Sequence, residues 1–382
     1  MKTTAIICEY NPFHCGHKLQ IDAVKQKGNN IICIMSGGFV QRGEAAMFDK
    51  YIRAEAAVKS GADLVLELPY PYSCSAAEFF ALGGVAVADS LGVVDELCFG
   101  SESGNIDLLS QISERLMSDE FDLMMKNARG DKNNKDKSYS ALREEVYKKM
   151  YGQSVAVKPN DILGVEYISA IKKLNSNIIP VTYKREVGFS ATETRKRITE
   201  EDRFDMIPDG ISSLFENQDR YGMEYAEKAI LAFYRCADPN ALEKYEGMTN
   251  GIAERLVKAA KESVSLIELI ERLSGKSYTN AKIRRCILHG LTGVYTEMLK
   301  TLPRYTQVLA CNDEGRKLVR KIQKEGSIEV FTKPSHYKKA EEGAKKQAEF
   351  NLSADNLLTL MCENTKTADA FLKKKPYIAD QI

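Results

Sequence analysis

Two of the four histidines in this 382-residue chain, His14 and His17, stand three positions apart with Gly16 between them. An apolar, β-branched run at 3–7 precedes them, and the helical pattern Lys18-Leu19-Gln20-Ile21-Asp22-Ala23-Val24 follows. The spacing therefore predicts a strand-to-helix turn with both imidazoles on the first helical turn, facing the same way. The missing side chain at Gly16 leaves room for a large group beside the backbone. Free N–H groups and the positive end of the helix dipole suit a polyphosphate at that point. Both histidines can donate to phosphate oxygens as charge develops during displacement at an α-phosphorus. The plainer alternative is one helix-capping histidine beside a surface one. Two of only four histidines flanking a glycine after the first strand favour the nucleotide site.

The elements that must position this turn follow from the alternation of short apolar runs with helical patterns. Strands are predicted at 3–7, 30–35, 63–68, 96–99 and 178–183, with helices at 51–60 and 75–91. Near-continuous apolar strands alternating with helices indicate a parallel sheet covered on both faces, whose ligands bind beyond the carboxyl ends of the strands. Residues 104–157 read as a helical insertion, and the apolar-free run at 131–137 as a mobile loop. The first domain is expected over 1–205, with a junction after Arg197. A mostly helical second domain is expected over 215–382, with helices at 225–233, 250–262, 265–273 and 280–289. It carries a small αβ element: strand 305–310, helix 315–324 and strand 327–331.

Apolar content of 44% and charged content of 28% describe an ordinary globular chain, with no membrane-spanning run. Nine scattered cysteines without a CxxC pair speak against a disulfide framework or a protein-held metal cluster. Met1-Lys2-Thr3-Thr4 leads directly into a strand, without a signal-peptide pattern. These features predict a cytoplasmic protein with no membrane association and no obligate protein partner. The net charge of +1 hides an asymmetry, for residues 276–346 hold sixteen Lys/Arg against seven Asp/Glu. Such a region suggests a polyanionic partner, the bland alternative being solvated lysine-rich helices.

His14-Cys15-Gly16-His17 resembles the HxGH signature of the nucleotidyltransferase superfamily, whose members activate substrates as adenylates. Further stretches sharpen the likeness: Glu9-Tyr10-Asn11-Pro12-Phe13, residues 35–44, 61–69 and 159–167, Tyr183-Lys184-Arg185, and Ser190-Ala191-Thr192-Glu193-Thr194-Arg195. With residues 276–285 they resemble the bacterial tRNA(Met) cytidine acetate ligase family along essentially the whole chain. Cys15 and Gly38 depart from the pattern, where asparagine is expected at both.

The resemblance implies a Rossmann-like domain that binds ATP, expected with Mg²⁺, and activates acetate as acetyladenylate. Acetyl transfer to N4 of the wobble cytidine (position 34) of elongator tRNA(Met) would follow. It makes His14 and His17 catalytic. It places ATP against Ile7, Cys8, Glu9, Tyr10, Asn11, Pro12, Phe13, Cys15, Gly16, Lys18, Leu19 and Gln20, and against Gly100, Asn160 and Arg185. Asn160 and Asp161 are open to helix capping as well. Ser190 and Thr192 are phosphate contacts or, for Ser190, a helix cap. Lys282, Arg284 and Arg285 are the tRNA-binding candidates, with Lys282, Arg285 and His289 expected on one outward helix face. Two other functions fit the same histidines: an adenylyltransferase acting on a phosphorylated small molecule, and a non-catalytic RNA-binding protein with a vestigial pocket.

Overall fold

The computed structural model describes residues 1–382 except 132, 133, 135, 136, 138, 156, 157, 186, 187, 250, 276, 277 and 380–382. Four residues of the run expected to be mobile, Lys132, Asn133, Lys135 and Asp136, lie outside the described residues, as do Lys276 and Ser277.

Among the described residues there are ten strands: β1 Thr3–Cys8, β2 Asn30–Ser36, β3 Phe39–Val40, β4 Glu44–Ala45, β5 Leu64–Leu68, β6 Glu96–Ser101, β7 Ile179–Lys184, β8 Tyr305–Cys311, β9 Glu329–Phe331 and β10 Tyr377–Ile378. The main sheet runs β10-β8-β5-β2-β1-β6-β7, with β9 beside β8. Within it β5, β2, β1, β6 and β7 are parallel, as their unbroken apolar runs predict. Strands β1, β2 and β5 are buried almost throughout, under helices such as Cys15–Lys25, Lys50–Lys59 and Ala77–Ser90. Chain order reverses direction across the sheet between β1 and β6, which opens a crevice at their carboxyl ends.

The expected αβ element forms, but it does not stay with the second domain. β8 pairs antiparallel with β5, so the sheet begun at residue 3 extends into residues 305–378. The physical reason is edge cover. β5 would otherwise expose an apolar edge, and the buried run Tyr305–Cys311 caps it. Asp63 joins the parts by accepting from Ile31 N at 2.8 Å, Lys25 Nζ at 2.5 Å and Asn312 Nδ2 at 3.0 Å. The second domain's C-terminal stretch, read from the sequence as helical, ends in the short strand β10. Helices Ile106–Leu116, Asp119–Gly130 and Tyr139–Tyr151 form the insertion and share the central core through Leu109, Phe121, Leu142 and Tyr147.

Candidate active site

The Cys15–Lys25 helix begins where β1 ends, and His14 is its N-cap. His14 Nδ1 accepts from Gly16 N at 3.1 Å, while His14 N donates to His17 Nδ1 at 3.2 Å. This reciprocal box decides the tautomers, because a ring nitrogen that accepts a backbone N–H carries no proton of its own. In neutral rings both protons therefore sit on Nε2. The rings stack with centroids 3.7 Å apart and an angle of 22°. Burial, then the Arg185 and Arg195 charges, push the His14 pKa down to about 4. Burial, with His14 and Arg185, holds His17 well below its ordinary value. Two neutral, parallel Nε2–H donors result. His14 is buried, and its Nε2 has no hydrogen-bond partner among the described residues. A buried donor without a partner is the arrangement expected where a ligand oxygen completes the bond.

The cleft around these rings has a volume of about 730 Å³. Its lining includes Ile7, Cys8, Glu9, Tyr10, Asn11, His14, Gly16, His17, Leu19 and Gln20 from the first motif. Gly100, Asn160, Arg185, Ser190 and Thr192 join them from β6, β7 and two later helices. Pro12, Phe13, Cys15 and Lys18 do not line it. Phe13 is fully buried and packs edge-on to Tyr10 at 4.8 Å, supporting the histidines from behind. Lys18 turns to Asp22 at 2.6 Å. Cys15 N donates to Met206 O at 2.9 Å, and burial raises its thiol, opposite to what a helix N-terminus alone predicts. Tyr10 occupies the left-handed region at φ 46°, a conformation that costs energy in a non-glycine residue and recurs at functional sites.

The glycines serve close packing of protein on protein. A Cβ on Gly16 would meet Phe189 Cβ at 2.9 Å and His14 Cε1 at 3.0 Å, and one on Gly100 would meet Arg185 Cγ at 3.0 Å. Gly100 thus makes room for the Arg185 stem. The departure at position 38 has a local reason, since a Cβ there would run into the Leu358 side chain.

Arg185 Nη1 donates to Asn160 Oδ1 at 3.0 Å, and Asn160 Nδ2 donates to Glu102 Oε1 at 2.6 Å. Neither Asn160 nor Asp161 is the N-cap of the Pro159–Lys173 helix; both lie in its first turn. Glu102 instead accepts from Asn160 N at 3.4 Å and Asp161 N at 3.0 Å. Ser190 caps the Ala191–Glu201 helix through Glu193 N at 3.1 Å while also lining the cleft, so its two expected roles coexist.

Arg195 and Glu44 lie in stretches the sequence singles out, though their pairing was not foreseen, and Arg53 escaped the sequence reading altogether. Arg195 Nη1 donates to Asn11 O at 2.7 Å and its Nη2 lies 3.8 Å from Glu44 Oε2. Glu44 also accepts from Arg284. Arg53, fully buried, donates to Glu9 O at 2.6 Å, Ser36 O at 3.1 Å, Phe48 O at 2.9 Å and Gly37 O. It ties together the loops that leave β1 and β2. The one signal for it was an arginine inside the otherwise alanine-rich run Arg53-Ala54-Glu55-Ala56-Ala57.

The expected outward basic face of the Asn280–Thr292 helix is not what forms. His289 is buried, with Nε2 2.8 Å from Cys74 O. Arg285 lines the cleft and donates to Gln41 O at 3.1 Å, and Arg284 turns to Glu44. The docking is close, because a Cβ on Gly43 would meet Arg285 N at 2.5 Å. Only Lys282 of the three keeps the expected character, with Nζ 4.6 Å from the Tyr278 ring centroid. On the later Asp313–Glu325 helix the bases are interleaved with acids, as Arg316–Asp313, Lys317–Glu314 and Lys321–Glu325. Three of that helix's five bases are thus paired with its three acids, which leaves Arg320 and Lys324 as its excess charge.

A strand-to-helix turn carrying two capped histidines at the switch point of a parallel sheet defines a nucleotidyl-transfer class of site. The family model described as HIGH Nucleotidyl Transferase matches residues 1–371. The chain is 34% identical to a tRNA(Met) cytidine acetate ligase from Caldanaerobacter subterraneus subsp. tengcongensis, covering 95% of this chain and 96% of that protein. It is 35% identical to one from Halothermothrix orenii, covering 94% and 93%. The crystal structure of Thermotoga maritima TmcAL bound with alpha-thio ATP superposes with a TM-score of 0.92 at 29% identity, covering 99% of both chains. The protein belongs to the tRNA(Met) cytidine acetate ligase family.

Proposed function

We propose that this enzyme uses ATP to activate acetate as acetyladenylate and then acetylates N4 of the wobble cytidine of elongator tRNA(Met). The observation that carries the reading is the pair of neutral Nε2–H donors on a helix start in the β1–β6 crevice. ATP lies with its phosphates over the Cys15–Lys25 helix start, within reach of Arg185 and the capped Ser190 turn. An acetate oxygen attacks the α-phosphorus, the bond to the bridging oxygen breaks, and pyrophosphate leaves. His14 and His17 donate to the oxygens that gain charge, and being neutral they need shed no proton to do so. Among the described residues no group of three or more His, Cys, Asp or Glu could hold a metal, so Mg²⁺ would enter on the nucleotide. The cytidine amine then attacks the acetyl carbonyl, AMP leaves with the electron pair of the broken C–O bond, and the amine's proton passes to solvent. A wobble base already lies unpaired in a loop, which lowers the cost of presenting it.

The test is ATP–pyrophosphate exchange with acetate as the sole co-substrate. Exchange is expected without tRNA. Exchange only with a phosphorylated small molecule would point to an adenylyltransferase, and none under any condition to a vestigial pocket.

On this reading tRNA meets the protein at the rim, where Thr279 and Ala281 line the cleft. There Lys282 and Arg255 flank Tyr278, with Arg255 Cζ 5.3 Å from the ring centroid. Cations around a half-buried aromatic suit a polynucleotide with unstacked bases. Lys282→Glu is expected to weaken tRNA binding and to reduce the slope of log affinity against log salt by about one. Exchange with acetate should not change. Binding measured across a salt series checks this, and an unaltered slope places the tRNA elsewhere.

A further inference from the structure

Arg285 lines the cleft beside the β3–β4 hairpin, where it donates to Gln41 O. Its one hydrogen bond among the described residues goes to a neutral carbonyl, Gln41 O, and it forms no ion pair there. Burial lowers its pKa, so this is a guanidinium partly stripped of water. Its neighbour Arg284 has Glu44, and Arg195 has Asn11 O and Glu44. Glu246 acts on Arg285 through its charge but makes no contact with it, and a desolvated cation with no carboxylate in contact is costly unless a ligand supplies the anion.

The chemistry calls for two anions in one cleft. The triphosphate is met by the histidines, Arg185 and the Ser190 turn. A carboxylate approaching the α-phosphorus is repelled by that charge, and a second cation must offset the repulsion. A guanidinium fork matches a carboxylate with two parallel hydrogen bonds. One helical turn beyond Arg285, His289 contacts Cys74 O, and the Ala77–Ser90 helix that follows Cys74 brings Ala77 and Phe80 to the cleft. These apolar side chains suit a short alkyl group and offer nothing to a second charge.

We propose that Arg285 binds the carboxylate of the substrate acid and, with Ala77 and Phe80, limits it to a short monocarboxylate. The assignment rests on the acetate-activating function proposed above. It makes a residue of the expected RNA-binding helix part of the first, tRNA-independent half-reaction.

The experiment measures exchange by the full chain without tRNA, varying acetate and ATP separately. In Arg285→Lys the KM for acetate is expected to rise about 10–100-fold, the loss typical of a charge-assisted hydrogen bond, with the ATP KM within about two-fold. Guanidinium ion should restore part of the acetate-dependent rate in Arg285→Ala, which a role in holding the hairpin would not produce. A raised ATP KM with an unchanged acetate KM would make Arg285 a phosphate ligand and overturn the proposal. Unaltered exchange with lost tRNA acetylation would make it an RNA contact and overturn it equally. If the wild-type protein shows no exchange with acetate, the functional reading itself fails. If the wild type exchanges normally and the variants keep its acetate KM, only the Arg285 assignment falls.

Discussion

Replacing His14 by Asn is expected to slow acetate-dependent ATP–pyrophosphate exchange by about 10²–10³-fold, the usual cost of one preorganised donor to a developing oxyanion. Asparagine is among the best N-caps, and its Oδ1 can take the Gly16 N–H now held by His14 Nδ1. What it cannot replace is the buried Nε2–H. Alanine is a poorer probe, because it removes the cap as well, at about 0.5–2 kcal/mol. It also leaves a space, since His14 is buried. The acid limb of stability offers a second readout. The folded-state pKa of about 4 lies below the ordinary 6.5, so the unfolded chain binds more protons between those values. The neutral ring's contribution is complete above about pH 6.5 and is lost as pH falls toward 4. His14→Asn should abolish that part of the pH dependence. Unfolding curves at pH 7 and 4.5 with exchange rates check both halves, and undiminished exchange in His14→Asn would remove the histidine from the chemistry.

The five parallel strands, their order of appearance and the turn holding His14 and His17 were legible because each depends on a local pattern. An apolar run between turn residues declares a buried strand, and a histidine pair around glycine declares its turn. What the pattern could not show was where residues distant in sequence meet. β8 reads as an ordinary apolar run, and only the exposed edge of β5 explains why it pairs there. Helical spacing put Ile283, Ile287 and Leu288 on a buried side, and they are buried. The same wheel put Arg285 and His289 outside, because it cannot foresee a second wall. The Gly43 turn supplies that wall, so the helix is covered on two sides and its basic residues divide between cleft and rim. Glu44 lies in a loop the sequence singles out, but its ionic role failed to register for a related reason. Its importance lies in bridging Arg284 and Arg195, which come from segments 89 residues apart in the numbering. Ionic partners separated so widely have no periodic signature.

The largest stability effect is expected at Lys50, whose substitution by methionine should cost about 3–5 kcal/mol. Its ammonium, 3% exposed, lies 2.7 Å from Glu67 Oε1 and 2.8 Å from Asp355 Oδ2, with those side chains 1% and 7% exposed. Asn351 completes the cluster, its Nδ2 3.4 Å from each carboxylate and its Oδ1 accepting from Tyr70 N at 2.7 Å. Through it the Glu342–Leu360 helix is fastened to β5 and to the Lys50–Lys59 helix. Removing the cation leaves two buried carboxylates facing each other, and their mutual repulsion adds to the desolvation that neither can escape. Burial already raises the Asp355 carboxyl to about 6, with Lys50 opposing the rise, so loss of Lys50 should lift it further. A carboxyl whose folded-state pKa is raised binds its proton more readily when folded, and that contribution grows as pH falls through the folded value. Lys50→Met should therefore be least stable at neutral pH and regain stability between pH 7 and 5.5. Adding Glu67→Gln and Asp355→Asn should restore most of the loss, because the cluster then holds no unpaired charge. Urea unfolding of the single and triple variants at both pH values decides the matter. If the single variant is as stable as the wild type at pH 7, the cluster contributes nothing to holding the C-terminal helix on the sheet.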